Sequence, residues 1–467
     1  MNKEQPFDTV MRVLQDPAFA RAARDAIRDY VARDELEGYP GPEMLTTAQL
    51  WDVLSTVRKL AATTIPIAVA SGEQVWYTIT VEGRHCLRAI EHHCRSDSRL
   101  HQMVQRRSGQ RFLVNAQVQE AIATCQVDGI EGSSREFERM LHQGRTPTTP
   151  EERIVKNTYE MLGELPALVD EDFSPELVRH LFERTTHGVN LAETPRIRTE
   201  LRGVPPVFQG LVKAHRPSRL DSDPMQTDES ASEALRQICD YANGETGDPR
   251  ESIAVRGYML MAAVGYWRPV PDFNGTVARH MLRLLSAKHD FPVLGYLPTS
   301  VMTRRWALGE MDADAVRYSR IESGRYAAGG IDATAEILIH LQLTVAAIND
   351  LCGRIRSTKV EDETLGRMLH TSERLNYRQR DLLSHALRRP DAEFTLREHR
   401  LDHRTAYSTA RADLLELVEL GFLCQETRGL AFVFTPSPNL RERLSAAAGE
   451  TAEPTSGEHD ATEGACV

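Results

Sequence analysis

One stretch of this chain leaves the backbone few options. Ser252 to Tyr266 (SIAVRGYMLMAAVGY) is apolar at nearly every position and reads as a helix. It runs into Arg268-Pro269-Val270-Pro271-Asp272-Phe273-Asn274-Gly275, where Asn-Gly after Asp marks a turn. Thr276 to Lys288 then places Val277, Met281, Leu284 and Leu285 at helical spacing. A turn feeding a helix N-terminus binds anions, because unpaired amide N–H groups and the helix dipole both favour negative charge. Asp272 would hold Mg²⁺ beside a bound phosphate. Arg279, three residues beyond Thr276, shares its helix face. On these residues alone two readings stand: an anion-binding loop, or a turn and buried helix with an ordinary Arg–carboxylate pair.

Residues 268–279 resemble the signature of the Fic (Fido) family, H-x-F-x-[DE]-G-N-G-R-x-x-R. Asp272, Asn274, Gly275 and Arg279 match it. Arg268, Val270, Phe273 and Thr276 depart from it, standing where His, Phe, Gly and Arg are usual. Upstream, Glu120 to Ile130 (EAIATCQVDGI) resembles the family's inhibitory segment [ST]-x-x-x-[EN]-G. Thr124 and Gly129 match, and Asp128 sits where Glu is usual. Ile154 to Leu162, with Asn157 and Tyr159, resembles its N-x-Y helix. Arg198-Thr199 ahead of Pro205-Pro206 resembles its R-T and Pro-rich segment. The resemblance covers about residues 110–350.

That resemblance implies a helical domain that transfers AMP from ATP to a hydroxyl side chain of a protein target. The motif His would take the hydroxyl proton, and the motif acid would hold Mg²⁺. The Gly-Asn-Gly amides and first Arg would cradle phosphate, and the second Arg would pair with the inhibitory acid. Carried over residue by residue, Phe273, Asn274, Gly275 and Arg279 would bind nucleotide or phosphate. Asp272 would hold the metal, and Thr124, Asp128 and Gly129 would belong to the inhibitory segment. Arg268 cannot take a proton, because guanidinium stays charged and offers no acceptor. Phe273 puts a ring beside the expected phosphate path, and Thr276 replaces a charged phosphate contact with a hydroxyl. His280 is the nearest other base in sequence. The expectation is a domain that binds ATP or another phosphorylated ligand with Mg²⁺ but lacks standard AMP transfer.

The C-terminal region carries a second pattern. Asn376 to Leu387 reads as a helix, Thr395 caps a short one, and Arg404 to Leu420 (RTAYSTARADLLELVEL) forms a third that Gly421 ends. Phe422 to Cys424 and Ala431 to Phe434 flank the turn Arg428-Gly429. This resembles a winged helix-turn-helix, in which the third helix enters the major groove. Arg404, Thr405, Tyr407, Ser408 and Arg411 would then face DNA, with Leu414, Leu417, Val418 and Phe422 in the core. Residues 365–447 hold 13 Arg against 11 acids, a small positive surplus. Asp402, Asp413 and Glu416 are expected near the same surface. The alternative is a module that packs on its neighbour or mediates a homodimer.

The whole chain has 467 residues and a net charge of −11, which gives it no generic attraction for nucleic acid. Most segments carry helical periodicity, so the expected fold is mainly α. We expect a mostly helical region over 1–109, a Fido domain over 110–355, a winged helix over 371–436 and a disordered acidic tail over 448–467. Phe7 to Arg33 and Ala48 to Ala61 are expected helices, and Gln74 to Val81 is the best strand candidate before residue 400. Residues 203–230, rich in Pro, Ser and Asp, read as a long loop. Seven scattered cysteines and no apolar leader point to a cytoplasmic protein with reduced thiols, and no membrane partner is expected. His85, Cys86, His92, His93 and Cys94 have spacings that a zinc site or an ordinary amphipathic helix would both show.

Overall fold

The computed structural model describes residues 46–67, 73–106, 110–191, 229–311, 330–371, 375–388, 392–403, 405–428 and 431–449, with positions 15, 17, 20, 24, 28, 30 and 36. Arg198-Thr199, Pro205-Pro206, most of 203–230, Arg404 and the tail beyond 449 lie outside these residues. The protein is mainly α-helical. It divides into two units, Met1–Cys352 and Gly353–Val467.

The first unit begins with α1 (Thr47–Leu60), whose start is held by a capping box between Thr46 and Gln49. Strands β1 (Thr63–Ile65) and β2 (Val75–Tyr77) pair antiparallel. The strand expected over 74–81 is shorter, because Thr80 caps α2 (Val81–Cys94) and turns the chain into helix. There follow α3 (Arg99–Gln105), α4 (Gln110–Val127), α5 (Ser134–Gln143), α6 (Pro150–Glu164) and α7 (Pro175–Thr186). Pro at the first turn starts both α6 and α7, where its missing N–H has no helical partner to lose. Next come α8 (Glu229–Asn243), α9 (Ile253–Trp267), α10 (Asn274–Lys288), α11 (Pro292–Tyr296) and α12 (Thr299–Ala307). Strand β3 (Ile331–Asp332) joins β2 in parallel, giving the order β1-β2-β3, and leads into α13 (Thr334–Thr371).

Helices α9 and α10 lie at the centre of this unit. Val277, Met281, Leu284 and Leu285, the expected apolar stripe of α10, are all buried. So are Val255, Tyr258, Met259, Leu260 and Val264 of α9. The start of α13 packs here too: Tyr258 shares a hydrogen bond with Thr344, and its ring stacks on His340 at 5.0 Å. Within α13, Thr334–Ser357 is long and apolar enough to cross a membrane by length and composition. Its apolar window is 78% buried inside the protein, as a core helix is. Among the described residues no group of three or more His, Cys, Asp or Glu is placed to hold a metal, so the 85–94 cluster is the face of a helix.

The second unit holds α14 (Tyr377–Arg388), β4 (Phe394–Thr395), α15 (Leu396–Asp402), α16 (Tyr407–Glu419), β5 (Leu423–Arg428), β6 (Ala431–Pro436) and α17 (Leu440–Gly449). Its sheet has the order β4-β6-β5, antiparallel throughout. Leu383, Leu414, Leu417, Phe422 and Phe434 form the core, with Val418 half-buried against it. Leu440 and Leu444 of α17 complete that core. Thr395 and Glu398 make the capping box of α15, and Gly421, at φ 71°, stops α16.

Among the buried ionisable groups of the first unit, Glu336 and His280 make stability depend on pH in opposite senses. Burial pushes the Glu336 carboxyl up to about 8 and the His280 imidazole down to about 3. Neither side chain has a hydrogen-bond partner among the described residues. Unfolded, Glu336 would ionise near 4.5, so its contribution to stability is lost as pH rises through 8. His280 acts oppositely, its contribution being lost as pH falls below 6.5. Between pH 6.5 and 8 the glutamate dominates. Glu336→Gln should therefore flatten the fall in unfolding free energy over that window. The slope removed should be on the order of 1 kcal/mol per pH unit, read by urea denaturation at both ends.

Candidate functional site

Helices α4 and α10 meet along a polar seam. Glu120, Thr124 and Asp128 recur every fourth residue on α4 and its C-terminal turn, so they share one face. Thr276, Arg279 and Arg283, three and four residues apart, likewise share one face of α10, with the chain running the other way. At one end Arg283 Nη2 lies 2.8 Å from Glu120 Oε1, both side chains almost wholly buried. Glu120 also accepts from Ser300 N–H at 3.0 Å and Ser300 Oγ–H at 2.6 Å, which brings in α12. In the middle, Arg279 donates to the Thr124 hydroxyl through Nε and to the Thr124 carbonyl through Nη2 at 3.1 Å.

At the other end the Asp128 carboxylate sits on the N-terminus of α10. Its Oδ2 accepts from Thr276 N–H at 2.6 Å and Thr276 Oγ–H at 2.8 Å. Its Oδ1 accepts from Arg279 Nη2 at 2.7 Å. A side chain on Gly275 would place Cβ 2.3 Å from that same oxygen, so only glycine admits the acid here. At this helix start, where an anion is expected, the structure puts a carboxylate of the chain itself. Thr124, Asp128, Thr276 and Arg279, drawn from two separated segments, are thus brought together. Gly129, at φ 93°, turns the chain away directly afterwards.

The turn itself is held from within. Asn274 Oδ1 accepts from Val270 N–H at 3.1 Å, and its Nδ2 donates to the Val270 carbonyl at 2.8 Å. Asp272 Oδ1 accepts from Phe273 N–H at 2.7 Å, folding the acid back on the turn. Phe273 adopts φ 51°, a left-handed conformation that costs a residue with Cβ about 1–2 kcal/mol. Its ring was expected beside the phosphate path. Instead it is buried among Val118, Ile122, Ile130, Phe137 and Met140. The backbone keeps the conformation a glycine would take, and the ring packs into the core beneath.

Arg268 also has a positive φ, 48°, at the end of α9. Its half-buried guanidinium makes no side-chain hydrogen bond or ion pair with the described residues. Burial pushes it below its ordinary range, and the nearby Asp128 charge works against that shift. Arg279 is paired with Asp128, and Arg268 lies within electrostatic reach of the same carboxylate. His280 is buried with both ring nitrogens turned into the core, so it is no base for this site. The neighbouring Cys125 thiol is buried and pushed up to about 12, which rules it out as a nucleophile near neutral pH. Asn157 clamps the end of α7 through the carbonyls of Thr185 and His187, at 3.1 and 2.9 Å.

The Glu120–Arg283 pair and Ser300 were not singled out from sequence, although helical spacing on α4 and α10 would have indicated the pair. In the second unit, Tyr407, Ser408 and Arg411 are exposed on the outer face of α16, and Thr405 is half-buried. Asp413, expected near that surface, points inward. Arg378 Nε holds its Oδ2 at 2.6 Å, and Asn376 Nδ2 holds Oδ1 at 2.7 Å.

No family model and no curated protein matches the sequence. Among solved structures, the 2.70 Å crystal structure of a Fic family protein from Desulfovibrio desulfuricans G20 is similar at a TM-score of 0.44 and 15% identity. The match covers 78% of this chain and 98% of that one.

Phe273→Gly separates backbone strain from ring burial. It would relieve about 1 kcal/mol of left-handed strain and forfeit about 3–5 kcal/mol of aromatic packing. A net loss of about 2–4 kcal/mol in urea denaturation is expected. A stabilised variant would show that the ring contributes little.

Proposed function

We propose that the first unit is a Fido-type domain that binds a nucleotide or another phosphorylated ligand at the N-terminus of α10 and does not carry out standard AMP transfer. One observation carries this reading: the Asp128 carboxylate takes the Thr276 N–H, the Thr276 hydroxyl and Arg279, a set of donors that would equally suit a phosphate. Arg268, within electrostatic reach of Asp128, adds a second positive charge near these donors. Asp272 is one carboxylate, which suits Mg²⁺ when phosphate oxygens supply the remaining ligands. A nucleophilic hydroxyl would find no base: position 268 is arginine, His280 is buried, and Asp128 is committed to three donors.

In this reading Asp128 competes with the ligand. Calorimetry with ATP and Mg²⁺ should give weak binding to the wild type and at least roughly tenfold tighter binding to Asp128→Ala, a gain of about 1.4 kcal/mol. Labelled ATP should leave neither protein modified. Equal affinities would remove the competing role of Asp128, and label on wild-type protein would remove the non-transferring reading.

For the second unit we propose a winged helix that contacts DNA through α16. Support comes from the exposed Tyr407, Ser408 and Arg411, and from Asp413, whose charge is turned inward and held by Arg378. Arg411→Ala should weaken binding in a low-salt anisotropy assay by about 1 kcal/mol or more. If Arg411 meets a phosphate, the salt slope should fall by roughly one charge. Wild-type binding no stronger than that of a charge-matched control would leave a protein-interaction module instead.

A further inference from the structure

In the second unit, α15 is held by a group that titrates. Among its described residues His399 alone is buried, and Leu396 is only half-buried against the core. Arg397, Glu398, Arg400, Leu401 and Asp402 are exposed. The strand ahead of it, β4, adds two residues of pairing with β6. An apolar anchor would hold at any pH, whereas an imidazole changes charge between about pH 5 and 8.

The His399 ring meets α16 at one carboxylate. Its Nε2 lies 3.2 Å from Asp413 Oδ2. Arg378 of α14 donates to the same oxygen through Nε at 2.6 Å and to Oδ1 through Nη2 at 3.0 Å. Asn376 Nδ2 donates to Oδ1 at 2.7 Å. Arg378 already balances the charge of Asp413, so a neutral His399 donating its Nε2–H completes the set with no charge left over. One turn along α15, the His403 ring stands 4.8 Å from that of His399, centroid to centroid. His403 Nε2 lies 3.7 Å from Asp381 Oδ2 of α14, and the ring meets Tyr377 edge-on at 6.1 Å. Asp381 is 76% exposed, so water screens its charge. Glu416 of α16 is taken by Gln379 at 2.8 Å. Strand β4, also packed on α15, is Phe394–Thr395 and carries no charge.

We infer that the His399–His403 pair makes α15 a pH-sensitive latch, which neutral imidazoles hold on α16 and protonation releases. Protonating both rings would set three cations, with Arg378, around the single buried carboxylate of Asp413 and the exposed Asp381. Burial and the like charges both oppose that state while α15 is docked. Burial pushes the His399 imidazole below its ordinary 6.5; the Asp413 hydrogen bond works against that shift, and His403 and Arg378 add to it. Once α15 is released, the ring takes its proton near 6.5. The latch is therefore whole above that pH and weakens as pH falls below it. One proton taken up on release shifts the opening equilibrium by at most about tenfold per pH unit. The release does not rest on α16 meeting DNA.

Hydrogen exchange of the full chain at pH 7.5 and 5.5, corrected for the intrinsic rates, reads the latch directly. Protection of 396–402 should fall by about threefold or more at the lower pH, relative to that of β6. His399→Gln keeps a neutral N–H donor for Asp413 and should abolish the difference. Should that variant fail to fold, His403→Gln removes the neighbouring charge at a half-buried position and should shrink it. Protection of α15 indifferent to pH, an equal loss in β6, or an undiminished difference in the folded variant overturns the latch.

Discussion

The pairing of Glu120 with Arg283 sets the register on which the candidate site depends. A buried ion pair adds little net stability, because desolvating both charges offsets their attraction. Breaking one is costly, by about 3–5 kcal/mol, because the survivor is left charged in the interior. The pair therefore acts against alternatives: sliding α4 along α10 by one turn would strand both charges. Once Glu120 meets Arg283, helical spacing on the two facing helices brings Thr124 to Arg279 and Asp128 to Thr276.

The turn before α10 depends on the same packing. Two residues with side chains, Arg268 and Phe273, hold positive φ within six positions of each other. Local preference opposes both, and tertiary contacts hold them in place. For Phe273 the contact is its ring in the core between α4, α5 and α6. For the turn as a whole it is the Asn274 clasp on Val270. A change that appeared in sequence to obstruct a ligand is in the fold a way of anchoring the loop.

The helix content, the stripe Val277-Met281-Leu284-Leu285, the cap at Thr395 and the stop at Gly421 were legible in the sequence. Each rests on contacts within a few residues, where spacing alone decides which groups meet. The joining of Thr124 and Asp128 to Arg279 was legible only through the order of two resembling segments. Glu120 with Arg283 left no such mark, because the two lie far apart in the chain.

The sequence by itself determined that Arg268 cannot accept a proton, that Gly275 admits close approach and that a helix begins beside it. These are properties of residue types and of local backbone. Only the tertiary structure decided that Asp128 occupies that helix start, that the Phe273 ring turns into the core, and that Asp413 faces inward. Each of those outcomes depends on which side chain reaches a given point first. Burial, charge and distance across separate helices settle that, and no spacing along one segment contains it.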